Sequence, residues 1–468
     1  MTFRTIPFNV VGGTHENRSR PVSVQKTVNL YPQVNTYSDN QTSLQSFYGQ
    51  ELLNGDLSGK DRGMHEMSGI AYTVVGESLY SFDASGISTF IGNVFGASRC
   101  IFANDGSNLV IVADRVYLWD SFNGIFGAIT NDNLVNVLSV TVINSQFIYT
   151  TPRLSFMSAP GEPDNVSGLD GIGAESSPDK LVRDYVFNQT IYRFGERTTE
   201  PWYNSGAGSP PIDRIDGQEL NVGLGAIYSV ANTDNAVYWL GDDKSVYRIS
   251  GNIKEKVSDD ALSNEIEGFS RIDNAFGYSF SLQGQDFYLI TFPDANKTYV
   301  INEQLGSQGW FNLSSADGAY SGKALIQAYN KNIVSNSGKL LVLNPDVYTE
   351  DGQQIIRERI TGTLNAEVLG IKGQRLKMSR LELFVEAGVG LITGQGERPR
   401  LLIETSIDGG RSYSHSAWVE IGQLGEHTLR CELWNMMSGE SFVFRITMSD
   451  PVPLTIKGGA IDVKMVGR

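Results

Sequence analysis

Ile70-Ala71-Tyr72-Thr73-Val74-Val75-Gly76-Glu77-Ser78-Leu79-Tyr80-Ser81-Phe82-Asp83-Ala84-Ser85-Gly86 sets the rhythm of this chain. Two runs of strand length, rich in β-branched and aromatic residues, flank a tight Gly76-Glu77-Ser78 turn. An Asp/Gly turn follows, because Asp caps a turn with its own side chain and Gly accepts positive φ. A third run covers Ile87 to Ile91. The unit returns at Arg99 to Phe102, turns at Asn104-Asp105-Gly106-Ser107, and continues through Leu109-Val110-Ile111-Val112-Ala113 and Val116-Tyr117-Leu118-Trp119 to Asp120. It recurs at Ala236-Val237-Tyr238-Trp239-Leu240 with Ser245-Val246-Tyr247-Arg248-Ile249, and at Asp286 to Phe292 with Thr298-Tyr299-Val300-Ile301. Repeats of roughly 35 to 45 residues, each three or four short strands, are the pattern of β-propeller blades. Such small sheets bury their faces only by stacking on one another. Six or seven units fit between residues 63 and 360. The unit from ~150 to ~215 is irregular, since Pro152, Pro160, Pro163, Pro178, Pro201, Pro210 and Pro211 interrupt ladders and mark loops.

Residues 1–62 lack any fixed apolar period and read as an extended N-terminal arm with short strands. Arg18, Arg20 and Lys26 stand near Val28-Asn29-Leu30-Tyr31-Pro32. Tyr31, Phe47 and Tyr48 argue for an arm held by the fold or a neighbour, because disordered segments are poor in aromatics. Asp259 to Phe269 is a single short helix, with Leu262, Ile266 and Phe269 at near-helical spacing. Texture changes near Gly362. Leu381 to Glu386, Leu401 to Ser406 and Phe442 to Met448 alternate, and Thr455 to Met465 ends the chain as a strand. Residues 361–468 therefore read as an antiparallel β-sandwich with one wet face per sheet. The fold class is all-β throughout.

The 468 residues carry 37 basic and 52 acidic side chains, a net charge of −15. That balance does not suit broad gripping of phosphate backbones or of anionic membrane surfaces. It suits solubility, or a wall past which DNA slides without sticking. Cys100 and Cys431 are too few and too far apart for a disulfide scaffold and read as small core residues. The first residues lack a basic-then-apolar leader, and no apolar run nears the ~20 residues of a membrane span. The sequons at Asn188 and Asn296 are then expected to go unused.

Catalytic signatures are sparse. His15, His65, His415 and His427 show no metal-ligand spacing and read as surface histidines. No Gly-x-Ser-x-Gly elbow and no phosphate-binding loop occur; Gly388 to Gly396 reads as a long hairpin loop. The sharpest motif is Ser406-Ile407-Asp408-Gly409-Gly410-Arg411-Ser412-Tyr413, an Asp-box-like turn. Asp408 caps it, Gly409 and Gly410 take positive φ, Ser406 belongs to the box, and Tyr413 packs beneath. Asp-boxes occur in sialidases as structural hairpins. A glycan-binding or glycan-hydrolysing propeller is therefore an alternative, and a general protein-interaction propeller a further one. No catalytic, cofactor-binding or metal site is assigned.

The order of motifs after Ser406 narrows the field. Trp418-Val419-Glu420-Ile421-Gly422 is followed by Gly425-Glu426, Arg430, Trp434, Val443-Phe444-Arg445-Ile446, Ser449-Asp450-Pro451-Val452-Pro453-Leu454 and Gly458-Gly459-Ala460. This run resembles the C-terminal domain of the packaged-DNA stabilisation proteins, the tail hub or nozzle of short-tailed double-stranded-DNA phages. Val28 to Pro32 and the Trp239 to Arg248 blade also resemble that family. The chain departs from it at Arg430 to Ser438, where Cys431, Met436 and Met437 replace a more basic stretch. The resemblance implies a non-enzymatic virion protein, assembled in the host cytoplasm as a homo-hexameric ring. It would sit below the portal–adaptor, close the DNA exit with a needle or plug, and dock tailspikes or fibres. Double-stranded DNA would be transiting cargo only, with no membrane insertion and no cofactor.

Overall fold

The computed structural model describes residues 2–17, 23–34, 42–173, 179–251, 253–316, 318–370 and 375–466; Arg18, Arg20 and Pro178 lie outside them. Among these, seven antiparallel blades of four strands follow one another, five as separate sheets, the sixth within an eleven-stranded sheet and the seventh within a six-stranded one. Their innermost strands are Asp61–Met67, Ile101–Asn104, Ser139–Ile143, Leu181–Phe187, Ala231–Asn232, Phe276–Leu282 and Ala324–Ala328. In the first blade the opening stretch does what its residues dictate. Ile70–Val75 pairs with Ser78–Phe82, which pairs with Ser88–Asn93. At the second turn Asp83 Oδ1 accepts from the backbone N–H groups of Ser85 (2.8 Å) and Ile87 (3.0 Å), and Gly86 sits at φ 82°. The irregular third blade carries register shifts between Ser155–Ala159 and Glu162–Ile172.

The seventh blade is completed by a strand from the far end of the chain. Ala324–Ala328, Lys331–Asn336 and Lys339–Asn344 supply three strands, and Gly49–Asn54 pairs with the last of them as the fourth. From there the chain enters the first blade at Asp61, so one short stretch locks the two ends of the ring together. Gly49 is required at this closure. A Cβ there would stand 2.4 Å from the Val347 carbonyl oxygen and 2.5 Å from that of Thr349.

The rest of the arm stitches propeller to sandwich. Lys26–Val28 pairs parallel with Trp310–Ser315 of the sixth blade and antiparallel with Arg357–Ile360. Arg357–Ile360 pairs with Ser441–Met448, so one eleven-stranded sheet runs from blade six into the sandwich. Asn29, at φ 55°, holds the seam. Its amide donates to the carbonyls of Ser314 and Ile356 at 2.8 Å each and its oxygen accepts from the Ser314 N–H at 2.9 Å. Tyr31 drives edge-on into Phe287, with ring centroids 5.7 Å apart. Arg4–Phe8 and Thr42–Ser46 pair with Thr455–Val466 in the second sandwich sheet. Arg359, fully buried, clamps the arm without any carboxylate. It donates to the carbonyls of Val10 (2.7 Å) and Gly13 (2.8 Å), to Thr27 Oγ1 (2.7 Å) and to Gln25 Oε1 (2.7 Å).

Between the two sandwich sheets lies one apolar core, including Phe8, Leu30, Leu44, Leu381, Ile403, Phe444 and Ile461. Cys100 and Cys431 are free thiols buried in separate apolar clusters. The helix covers Asp260–Glu267 with Asp259 as N-cap. Two expectations are corrected. The Gly388 to Gly396 segment is not a hairpin loop: it joins Arg375–Val385 of one sheet to Arg400–Ser406 of the other, anchored by Gly388 N–H on the Ile421 carbonyl. Nor are all four histidines on the surface. His15 is buried among Tyr299, Trp310 and Asp259, its Nδ1 3.0 Å from Asp259 Oδ2. His65 stacks on Phe102, with centroids 5.6 Å apart, its Nε2 2.7 Å from Asn104 Nδ2. Apolar walls recruit the imidazole as a flat ring where one polar partner suffices.

Candidate functional site

Ser406, Asp408, Gly409, Gly410 and Tyr413 come together in the turn between Arg400–Ser406 and His415–Glu420. Ser406 ends its strand buried, and its hydroxyl donates to Asp408 Oδ1 at 2.6 Å while accepting from the Gly410 N–H at 2.8 Å. Asp408 also accepts from the N–H groups of Arg411 and Ser412 at 3.0 Å and from Ser412 Oγ at 2.6 Å. The Ser406 and Ser412 donors hold its carboxyl well below the usual carboxylate range. Gly409 and Gly410 sit at φ 75° and 85°. Tyr413 lies beneath the Arg445 guanidinium at 4.3 Å, and Arg445 Nε is fixed on Glu404 at 2.5 Å. Every acceptor of Asp408 is directed at its own turn.

Beside this turn the sandwich exposes two strand edges. Cys431–Gly439 is the last strand of one sheet and His415–Glu420 the last of the other. Alternation puts Cys431 and Leu433 inward and leaves Trp434 and Met436 outside; Trp434 is 66% exposed and Trp418 58%. A guanidinium group lies over each indole, Arg380 over Trp434 at 5.4 Å and Arg400 over Trp418 at 5.2 Å. Arg380 is in turn pinned by Asp462 (2.9 Å) and Glu432 (3.0 Å), and Glu432 accepts the Trp434 N–H at 2.8 Å. Pre-oriented exposed tryptophans are typical anchors of protein interfaces, which favour amphipathic rings with little rotamer entropy to lose. The sequence marks Trp418 and Trp434 only as motif residues of the resemblance and gives them no surface role. The outward phase of Trp434 in an alternating strand was the available signal.

The propeller offers a second feature that reading residue by residue missed. Arg99, Arg183 and Lys323, far apart in sequence, stand at the leading ends of the innermost strands of blades two, four and seven. Their neighbours are Tyr228, Phe276 and Tyr278. Among the described residues no set of His, Cys, Asp or Glu converges as a metal site, and no helix is long and apolar enough to cross a membrane.

Comparison with known proteins completes the picture. Residues 5–348 match the family described as bacteriophage P22 Gp10, beta-propeller, and residues 362–464 match its companion, bacteriophage P22 Gp10, beta-sandwich. No curated protein matches. Among solved structures, the computationally designed Ika8 protein is 13% identical, with a TM-score of 0.38 over 72% of this chain and 99% of its own. The N-terminal domain of Nup159 is 9% identical, with a TM-score of 0.40 over 67% and 97%. By the match across both of its β modules, the chain belongs to the bacteriophage P22 Gp10 family of short-tailed-phage tail hub and stabilisation proteins, and is a structural protein of the phage tail.

Proposed function

We propose that the chain assembles into a homo-hexameric ring below the portal–adaptor of the virion. There it closes and conducts packaged double-stranded DNA and docks tailspikes or fibres and a tail needle or plug. It performs no chemistry, and its subunits fold in the host cytoplasm before assembly. The observation that carries this reading is the match of one family's two models, in order, over 5–348 and 362–464. The net charge of −15 supports it, since an acidic wall repels transiting phosphate. The exposed Trp418 and Trp434 beside an unpaired strand edge support it as well, because a closed ring needs one surface complementary to another on its neighbour. Within this reading, 1–62 acts as the arm, 63–360 as the propeller and 361–468 as the sandwich. The Ser406, Asp408, Gly409, Gly410, Tyr413 turn acts as a structural post on the sandwich. Electron microscopy of the purified protein mixed with portal–adaptor complexes tests it. A six-fold ring at the adaptor face is expected. Failure to bind, together with cleavage of a sialoside by the purified protein, would reverse the assignment.

A further inference from the structure

The rim of the propeller is guarded unevenly. A strand at the edge of a sheet leaves its backbone N–H and C=O groups open to another chain, and charged residues or prolines normally blunt it. The outermost strand of blade three, Glu162–Ile172, carries Glu162, Pro163 and Asp164; that of blade four, Ile212–Arg214, carries Asp213 and Arg214; that of blade five, Ile253–Lys256, carries Lys254, Glu255 and Lys256. Blades six and seven end on strands that pair further, with Lys26–Val28 and Thr349–Glu350. Blades one and two have neither device. Their outermost strands, Ser88–Asn93 and Ile125–Ala128, hold no charged residue and no proline, and each ends its sheet. The two strands are locked side by side. Phe126 stacks on Tyr117 with centroids 5.9 Å apart and lies against Gly92, where any Cβ would strike its ring. Phe90 and Ile125 are left outside, at 53% and 64% exposure. Phe122, 88% exposed, is held out by a turn in which Asp120 Oδ1 accepts from the Phe122 and Asn123 N–H groups at 3.0 Å each. Large apolar side chains on open, uncharged edges mark a surface that is covered in the working protein.

Charge selects what covers it. Residues 361–468 hold twelve basic and twelve acidic side chains, so the whole excess of fifteen negative charges lies in residues 1–360. Two propellers of like sign repel, whereas the balanced sandwich approaches an acidic propeller without that cost. The sandwich also has open edges of its own. His415–Glu420 and Cys431–Gly439 lie beside each other and bear the exposed Trp418 and Trp434. We propose that the rim of blades one and two, Ser88–Asn93 with Ile125–Ala128, is the docking surface for the sandwich edge of a second copy of this chain. The contact is heterologous, rim of one copy on sandwich of the next, and contacts of that type repeat around a closed ring. This pairing of faces rests on the ring proposed above and names the second of its two surfaces.

Photo-crosslinking of the assembled protein tests it. Full chain with p-benzoylphenylalanine in place of Phe90 or Phe122 is added to portal–adaptor complexes. The bound mass is read by native mass spectrometry, and the complexes are then irradiated and digested. Chain-to-chain adducts with peptides from residues 415–439 are expected, in complexes that hold six copies. Phe90→Asp combined with Ile125→Asp should melt close to the parent chain, because both side chains are exposed, and should weaken assembly at least tenfold. Six-copy complexes whose adducts fall outside 415–439, whether rim to rim or rim to adaptor, or that give none, would overturn the docking surface and leave the ring standing. So would undiminished assembly of the double variant. Absence of any multi-copy complex of the parent chain would remove the ring and this contact with it.

Discussion

Asp184 takes three hydrogen bonds where water does not reach. Its Oδ1 accepts from Arg193 Nε at 3.0 Å; its Oδ2 accepts from Thr150 Oγ1 at 3.1 Å and from the Ser155 hydroxyl, both on the preceding blade. Arg193 is 1% exposed and also lies 4.5 Å over Trp202. Asp184→Ala should therefore cost about 3–5 kcal/mol, because it strands a buried guanidinium; the midpoint of urea unfolding reads it. His65 makes a pH-dependent contribution. Burial against Phe102 pushes its imidazole down to about 4, while the unfolded chain protonates it near the ordinary 6.5. A depressed folded value means the unfolded state takes up the proton first, so stability present above about pH 6.5 is lost as pH falls toward 4. Melting curves from pH 7.5 to 4.5 should show the parent chain losing more than His65→Gln, a difference on the order of 2 kcal/mol at the acid end. Asp184 is unmarked in the sequence, and His65 reads there as a surface histidine. Asp184 sits in a strand of mixed polarity, and nothing local marks Arg193 as its partner.

At the scale of elements, Gly49–Asn54 is the piece on which closure turns. Gly49→Val would drive a branched side chain into the Val347 and Thr349 carbonyls and unseat the strand that finishes blade seven. A loss of about 3 kcal/mol or more is expected, with new protease cleavage between residues 49 and 60 as the local readout. The blade strands were legible because their turns are local: Asp83 and Gly86 declare the first blade's second turn within four residues. The same locality made Asp259–Glu267 and the Ser406 to Tyr413 turn readable. The arm was opaque for the opposite reason. Arg4–Phe8, Lys26–Val28 and Gly49–Asn54 are edge or bridging strands whose partners lie hundreds of residues away, and no period within the arm records them. The blade number stayed at six or seven for that cause, since one strand of the seventh precedes the first. The Gly388 to Gly396 segment deceived because a glycine-rich connection looks alike whether it turns within a sheet or crosses between two.

For the whole molecule, propeller and sandwich form one continuous body through the eleven-stranded sheet and the Arg359 clamp. The proposed ring draws on that continuity, since its interfaces would lie on strands of one connected body. Trp434 is the anchor to remove. Trp434→Ala should change the stability of the isolated chain by less than about 1 kcal/mol, because the indole is 66% exposed. It should weaken ring assembly at least tenfold, as loss of an interface anchor does, read by sedimentation velocity in the presence of the adaptor. The motifs from Ser406 to Ala460 told the family, whereas the closure of the seventh blade by Gly49–Asn54 needed both ends of the propeller in place before it existed. The central claim is that this chain works by burying its surface against copies of itself. The most direct test is the mass of the complex formed when purified chain is added in excess to isolated portal–adaptor, measured by native mass spectrometry. The account predicts that bound mass stops at six chains per connector; a single bound copy, or none, would contradict it.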